Sequence, residues 1–192
     1  YYGIQLGKLN MYAMGDSRQI EAVTSSPLAL EGGRPTFVIR NETQNWNSSN
    51  GGSDMDGVLS GNAAKREEGV AVKMLDICNA YRDGEDSVGQ KVREAWEGTQ
   101  GDPDSDDEGK RHKYLDFGLL YDSLEAAPDS PMSEDTIGRV IEDVRGDSTW
   151  LSISRIGKEI LNPKNPVSES RRKWYNPVSY THLRAHETRG NL

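Results

Sequence analysis

The run Thr36-Phe37-Val38-Ile39-Arg40-Asn41-Glu42-Thr43 constrains the fold of this chain more than any other segment. It comes after a Gly-Gly-Arg-Pro turn (Gly32 to Pro35), and its apolar part ends in an amide and a carboxylate. Read as a buried strand, Phe37 to Ile39 carries the backbone into a core and delivers Glu42 at the strand's C-terminal end. Open α/β sheets place their chemistry there. A carboxylate in that position suits a nucleotide hydrolase, which needs one to hold magnesium or orient an attacking water.

The remaining pattern predicts strands alternating with helices, hence a mainly parallel α/β sheet with flanking helices. Leu9 to Ala13 and Gln19 to Thr24 read as strands around a Gly15-Asp16-Ser17 turn. Val70 to Ile77 is a further strand ending in Cys78-Asn79-Ala80-Tyr81, and Tyr114 to Tyr121 another. Helices are expected from Asp54 to Lys65, after the cap Ser87 with Val88, Val92, Ala95 and Trp96 on one face, after Ser133 with Ile137, Val140, Ile141 and Val144, and from Trp150 to Leu161. Asn162-Pro163 ends the last of these, and Ser168 begins a basic helix. Segments Asn45 to Asp54, Asp83 to Asp86 and Asp102 to His112 read as polar loops.

The length, 192 residues, allows one domain with a real core, although only 34% of residues are hydrophobic. A net charge of -8 argues against a wholly basic DNA-coating protein. No run reaches membrane-spanning length. The single Cys78 excludes an internal disulfide and fits a reducing compartment. The chain opens on Tyr-Tyr-Gly-Ile, as if cut from something longer. At the other end, Val178 to Thr188 resembles a translated transposase-type sequencing adapter, so residues 177–192 are expected to be a non-native tail. His182 and His186, spaced like a helical metal pair, are then adapter codons rather than ligands.

A phosphate-binding loop is the natural companion of a strand ending in Glu42, but no G-x-x-x-x-G-K-[ST] is present. Gly3-Ile-Gln-Leu-Gly7-Lys8-Leu9 is one residue short and reads as a loop before a strand. Any such loop is expected upstream of Tyr1. In a parallel sheet, the ends of the Glu42 and Asn79 strands share one rim, so both can face one nucleotide γ-phosphate; Asn79 also reads as a turn residue or helix cap. The acidic Asp102 to Gly109 lacks the glycine and terminal glutamate of a calcium loop and reads as solvated. Asp54 and Asp56 suit a two-metal nuclease only with a third carboxylate, and otherwise are first-turn helix acids. Arg171, Arg172 and Lys173 beside Trp174 can meet nucleic acid or form a solvated helix face.

The order Ile20 to Pro27, Leu30 to Ile39, Asn41-Glu42-Thr43, Trp46, Asp76 to Tyr81, Gly84 to Val88, Leu120 to Glu125, Arg145 to Ser148, Asn162-Pro163 and Arg171 to Asn176 resembles the large terminase subunit of tailed bacteriophages, most of all the type in phages of actinobacteria. The resemblance implies a motor in which an N-terminal P-loop NTPase-like ATPase drives viral DNA into the procapsid and a C-terminal nuclease cuts the concatemer. Residues 1–161 correspond to the second part of the ATPase domain, lacking its Walker A strand-loop-helix. Residues 162–176 begin a linker helix toward a nuclease domain that is absent. The resemblance further implies ATP and magnesium as cofactors. Its partners are double-stranded viral DNA, the portal protein, the small terminase subunit and copies of the subunit in a ring. The setting is the host bacterial cytoplasm, with transient docking on the procapsid and no membrane.

By position, Phe37 to Ile39 becomes the Walker B strand, Glu42 the catalytic glutamate that orients water, and Cys78-Asn79 the coupling motif that senses the γ-phosphate. Asn41 stands where the family has a magnesium-associated Asp, and a neutral amide binds magnesium less well. Cys78 replaces a small hydroxyl residue, and a thiol is the poorer donor. The alternatives are a DNA-processing nuclease and a non-enzymatic phage structural or binding module. The first needs three clustered carboxylates; the second is favoured by a Glu42 buried in an ion pair away from any cleft.

Overall fold

The computed structural model describes residues 3–15, 18–23, 26–65, 72–100 and 118–177. The described strands form two sheets. The first is antiparallel, with β1 (Ile4–Leu6), β2 (Asn10–Ala13) and β3 (Gln19–Glu21) in that order. Gly15, at φ +81°, supplies the left-handed residue its second turn requires. The expected hairpin is therefore present, and Ile4–Leu6, read as loop, adds a third strand.

The second sheet is a parallel pair, β4 (Phe37–Asn41) and β5 (Lys73–Ile77), with Phe37 opposite Lys73 and Asn41 opposite Ile77. Between them run a short helix-like segment at Thr43–Asn45 and α2 (Gly52–Ala64), whereas α1 (Pro27–Leu30) precedes β4. The expectation of a mainly parallel sheet is met only by this pair. Of the strand expected over Tyr114 to Tyr121, residues 118–121 are not in a strand and the rest lies outside the described residues, as do Val70, Ala71, the acidic Asp102 to Gly109 and the tail from Val178.

The strand β4 is not buried as expected. Phe37 and Ile39 are 52% and 60% exposed, and Leu75 and Ile77 on the same side of β5 are 46% and 50% exposed. Alternation puts these four residues on one face and Val38, Arg40, Met74 and Asp76 on the other. Only the second face turns inward, because Arg40 reaches across to Asp56 of α2.

The main core lies in the C-terminal half. Helices α4 (Glu134–Arg145) and α5 (Ile153–Ile160) bury Ile137, Val140, Ile141, Ile156 and Ile160 against Ala126 and Tyr175. Their apolar residues recur at helical spacing, which makes each one-sided. Ser133 caps α4 together with Thr136, whose Oγ1 lies 2.9 Å from Ser133 Oγ, and Glu134 and Asp135 occupy the first turn. Asn162-Pro163 ends α5 as expected, but the helix starts at Ile153 and leaves Trp150 79% exposed. The segment expected to open a linker packs here. After α6 (Val167–Ser170) a wider turn, Arg171–Tyr175, brings in Tyr175, which is fully buried and donates to the Pro131 carbonyl at 3.0 Å. Among the described residues no helix is long and apolar enough to cross a membrane.

Candidate functional site

The two parallel strands end together. The ladder continues one residue beyond β4, where the Glu42 N–H donates to the Ile77 carbonyl at 2.7 Å. Glu42 and Cys78 therefore leave the sheet side by side, as the shared rim requires. Glu42 then turns sharply, with φ 58° and ψ 42°. This left-handed conformation costs a side chain energy and is uncommon outside glycine, asparagine and aspartate. The next two residues anchor it. Thr43 and Gln44 are buried, and Gln44 Nε2 donates to Glu42 Oε2 at 2.6 Å.

Helix α3 (Val88–Gln100) seats this turn. Its cap Ser87 accepts from the Gln90 N–H at 3.2 Å, as the sequence predicts. A Cβ on Gly89 would stand 2.9 Å from the Gln44 nitrogen, so only glycine lets the helix start approach the turn this closely. The Val88 N–H also donates to the Trp46 carbonyl at 2.7 Å. Of the expected face, Val88 is buried, Val92 and Trp96 are half-buried and Ala95 is exposed, while Gly89 and Arg93 are buried as well.

Beside the parallel pair lies a cleft of about 240 Å³. Cys78, Asn79, Thr43 and the inner pair Arg40 and Asp76 line one side, and Arg93, Tyr121, Glu125 and Asn176 line another. It runs along the inner side of the pair at Arg40, Met74 and Asp76 and reaches past the carboxyl end of β5, the end at which α/β folds bind ligands. Of the four residues expected to meet nucleotide, Cys78 and Asn79 line it. Asn41 is exposed at the end of β4 and, like Glu42, is not part of the lining. Cys78 is exposed as a residue, but partial desolvation of its sulfur raises the thiol pKa; nearby Thr43 pulls it down, while Asp76 and Glu42 push it further up. The Thr43 hydroxyl acts on the thiol without the geometry of an ordinary hydrogen bond. Cys78 thus stays a thiol at neutral pH.

Two buried arginines frame the cleft. Arg40 and Asp76 are opposite each other in the β4–β5 register and bond in bidentate fashion, at 2.6 and 2.9 Å, while a third contact joins Arg40 to Asp56. Burial alone would lower the Arg40 pKa, but its two carboxylates more than offset this and raise it. Arg93 bonds Glu97 and Glu125, both at 2.6 Å, and the Tyr121 hydroxyl at 2.9 Å, with its guanidinium 5.1 and 4.9 Å from the centres of the stacked Trp96 and Tyr121 rings. Both cations are neutralised by carboxylates. Sequence reasoning missed this framework. Its one local signal was a charged residue at the same alternation parity in each apolar strand, Arg40 in β4 and Asp76 in β5.

Among the described residues the carboxylates do not gather as a nuclease requires. Asp56 is held by Arg40, Asp54 stands exposed in the first turn of α2, and the described residues contain no group of three acidic, histidine or cysteine side chains able to hold a metal. Glu42 forms no ion pair among the described residues, but it also lies outside the cleft lining, so the two parts of the expectation for a structural role divide.

The basic segment is neither a free patch nor a plain solvated face. Arg172 donates to Glu169 at 2.9 Å and to the Ala80 carbonyl at 3.0 Å, just past Asn79. Arg82 holds the other side of Glu169 at 3.0 Å. Hydrogen bonds from Arg82 and Arg172 pull the Glu169 pKa from 4.5 to about 2. Arg171 donates to the Pro128 carbonyl at 3.2 Å, and exposed Lys173 lies over the Trp174 ring.

Comparison with known proteins adds the biological setting. The chain is 39% identical to the Gene 13 protein of Mycobacterium phage D29 over 198 residues, and 39% identical to that of Mycobacterium phage L5 over 199 residues. These relatives are bacteriophage proteins. Each match covers 93% of this chain but only 31% of the relative, so the chain spans about a third of the length of the curated relatives it matches. No family model matches the chain, and no solved structure matches it.

Proposed function

We propose that this chain is part of the large terminase subunit, the ATPase that drives DNA into a phage procapsid, and that it contributes the water-orienting and phosphate-sensing rim of the nucleotide site. The observation that carries this reading is the emergence of Glu42 and Cys78-Asn79 from adjacent ends of two parallel strands, with Glu42 fixed in a left-handed turn. Strained backbone of this kind persists where the surroundings over-determine it, often at functional sites. The relatives support the bacteriophage setting of this reading.

Glu42 and Asn79 are of the residue types that one half of an ATP site uses, although only Asn79 lines the cleft. Bound nucleotide and metal would supply the reactive phosphate and its charge neutralisation. Glu42, unpaired with any cation among the described residues, is available to orient a water. Asn79, exposed in the cleft, offers an amide donor to a phosphate oxygen. Asn41 is neutral and exposed, so it does not by itself hold magnesium. The loop that cradles the phosphates belongs to sequence outside this chain. Residues 1–161 are the ATPase part in this reading, residues 162–176 lead toward the nuclease, and residues 177–192 are the adapter tail. In the full-length protein the partners would be viral DNA, the portal, the small subunit and neighbouring copies, in the host cytoplasm. Lys173 is the residue of the basic segment left for a DNA contact.

The test is ATP turnover by a full-length relative carrying Glu42→Gln at the aligned position. Loss of orientation of the attacking water lowers kcat by about 100-fold or more with little change in nucleotide affinity. Undiminished kcat removes Glu42 from the mechanism.

A further inference from the structure

The three-stranded sheet β1–β3 is amphipathic to an unusual degree. In its register Ile4 pairs with Ala13, Leu6 with Met11, and Met11 with Ile20. Cross-strand partners point to the same side, so Ile4, Leu6, Met11, Ala13 and Ile20 share one face. The opposite face carries Gln5, Asn10, Tyr12, Gln19 and Glu21. Yet the apolar face is open: Ile4, Leu6 and Ile20 are 65%, 73% and 65% exposed, and Met11 is 42% exposed. A contiguous apolar face of this kind marks an interaction surface.

We infer that this face is covered, in the full-length protein, by an apolar layer from the part of the same polypeptide that lies outside this chain. Two observations select that occupant. The relatives extend well beyond the matched segment, which is only 31% of their length, so in them a covalently attached candidate exists. Attachment gives it an effective concentration that a separate partner lacks. The chemistry of the face points the same way. It holds branched aliphatic residues, an alanine and a methionine, and no charged group that would steer or select a diffusing partner. The Tyr, Trp and Arg anchors typical of interfaces between separate proteins are missing from it, and the sheet's own tyrosine, Tyr12, is on the polar side. The face is built like half of a domain core. This inference stands apart from the proposed ATPase role and survives its failure.

Thiol accessibility tests it. In the full-length D29 relative, freed of other reactive cysteines, a single cysteine is placed at the position aligned with Ile20 or at the neighbouring position aligned with Gln19. Alkylation rates in native protein are referenced to the same protein in denaturant. The Ile20 position should react at least about tenfold more slowly than the Gln19 position, since labelling there requires local opening. The protection should not change on dilution. Equal rates at the two positions overturn the inference. Protection that disappears on dilution to monomer also overturns it, by assigning the face to a second copy.

Discussion

The antiparallel sheet at the start of the chain and the helical cluster near its end use similar side chains to opposite effect. Ile20 in β3 is 65% exposed, whereas Ile141 in α4 is 2% exposed. Each lies on a regular apolar face, helical in one case and alternating in the other. The helices are joined by a short connection, so α4 and α5 fold back and cover each other, and Tyr175, a little further along the chain, closes the cluster. A sheet face has no such local partner. Its strands satisfy one another's hydrogen bonds and leave the face for another layer. The open face of β4–β5 repeats the lesson, except that its inner side is secured by Arg40. Burial in this molecule depends on whether a covering element is near in sequence.

The largest expected effect tests the exception. Arg40→Met removes the cation shared by Asp56 and Asp76 and leaves Asp76, whose side chain is only 15% exposed, without its counter-charge. The expected loss is about 3–5 kcal/mol of stability in urea unfolding, the usual result of breaking a buried pair on one side. A loss below about 1 kcal/mol would mean that the pair is as solvated as a surface bridge.

Substitutions within the two apolar faces rank second. Ile141→Ala should cost about 2–5 kcal/mol through the cavity it leaves, while Ile20→Ala in the same chain should stay within about 0.5 kcal/mol. Comparable losses at the two positions, read from the same unfolding curves, would break the comparison.

The smallest effect concerns the Glu169 clamp, which ties the segment after β5 to the C-terminal helix. With its pKa lowered from 4.5 to about 2, Glu169 stabilises the fold fully above the ordinary carboxylate range, and that contribution fades as the pH falls from 4.5 toward 2. Its side chain is 41% exposed, so solvent screening keeps the contribution under about 1 kcal/mol. Glu169→Gln should therefore lower Tm slightly at pH 7 and leave it unchanged near pH 2. An equal difference at both pH values would show that the carboxylate charge is not the cause.

Much of this architecture is legible from local pattern. The caps Ser87 and Ser133, the stop at Asn162-Pro163 and the apolar spacing of α2, α4 and α5 are properties of neighbouring residues, and they appear where expected. So do the ends of β4 and β5 that bring Glu42 beside Cys78. Other features escape for a physical reason. Ile4–Leu6 is too short to read as a strand until β2 offers it a partner. Arg40 reads as the polar end of a strand, yet its carboxylates come from positions 16 and 36 residues away. Arg172 reads as a nucleic-acid contact or a solvated residue, and its bond to the Ala80 carbonyl, 92 residues distant, is not legible locally.

By itself, the sequence determined most of the helices and the strands β2 to β5, the apolar side of α4 and α5, and that two strand ends carry Glu42 and Asn79. Periodicity and capping act within a turn or two and need nothing further. Tertiary structure alone decided that Arg40 is buried, that Glu42 takes a left-handed turn over buried Thr43 and Gln44, and that one sheet face remains open. These outcomes depend on which distant segment supplies a counter-charge, a hydrogen-bond partner or a covering layer, and only the folded chain brings such segments together.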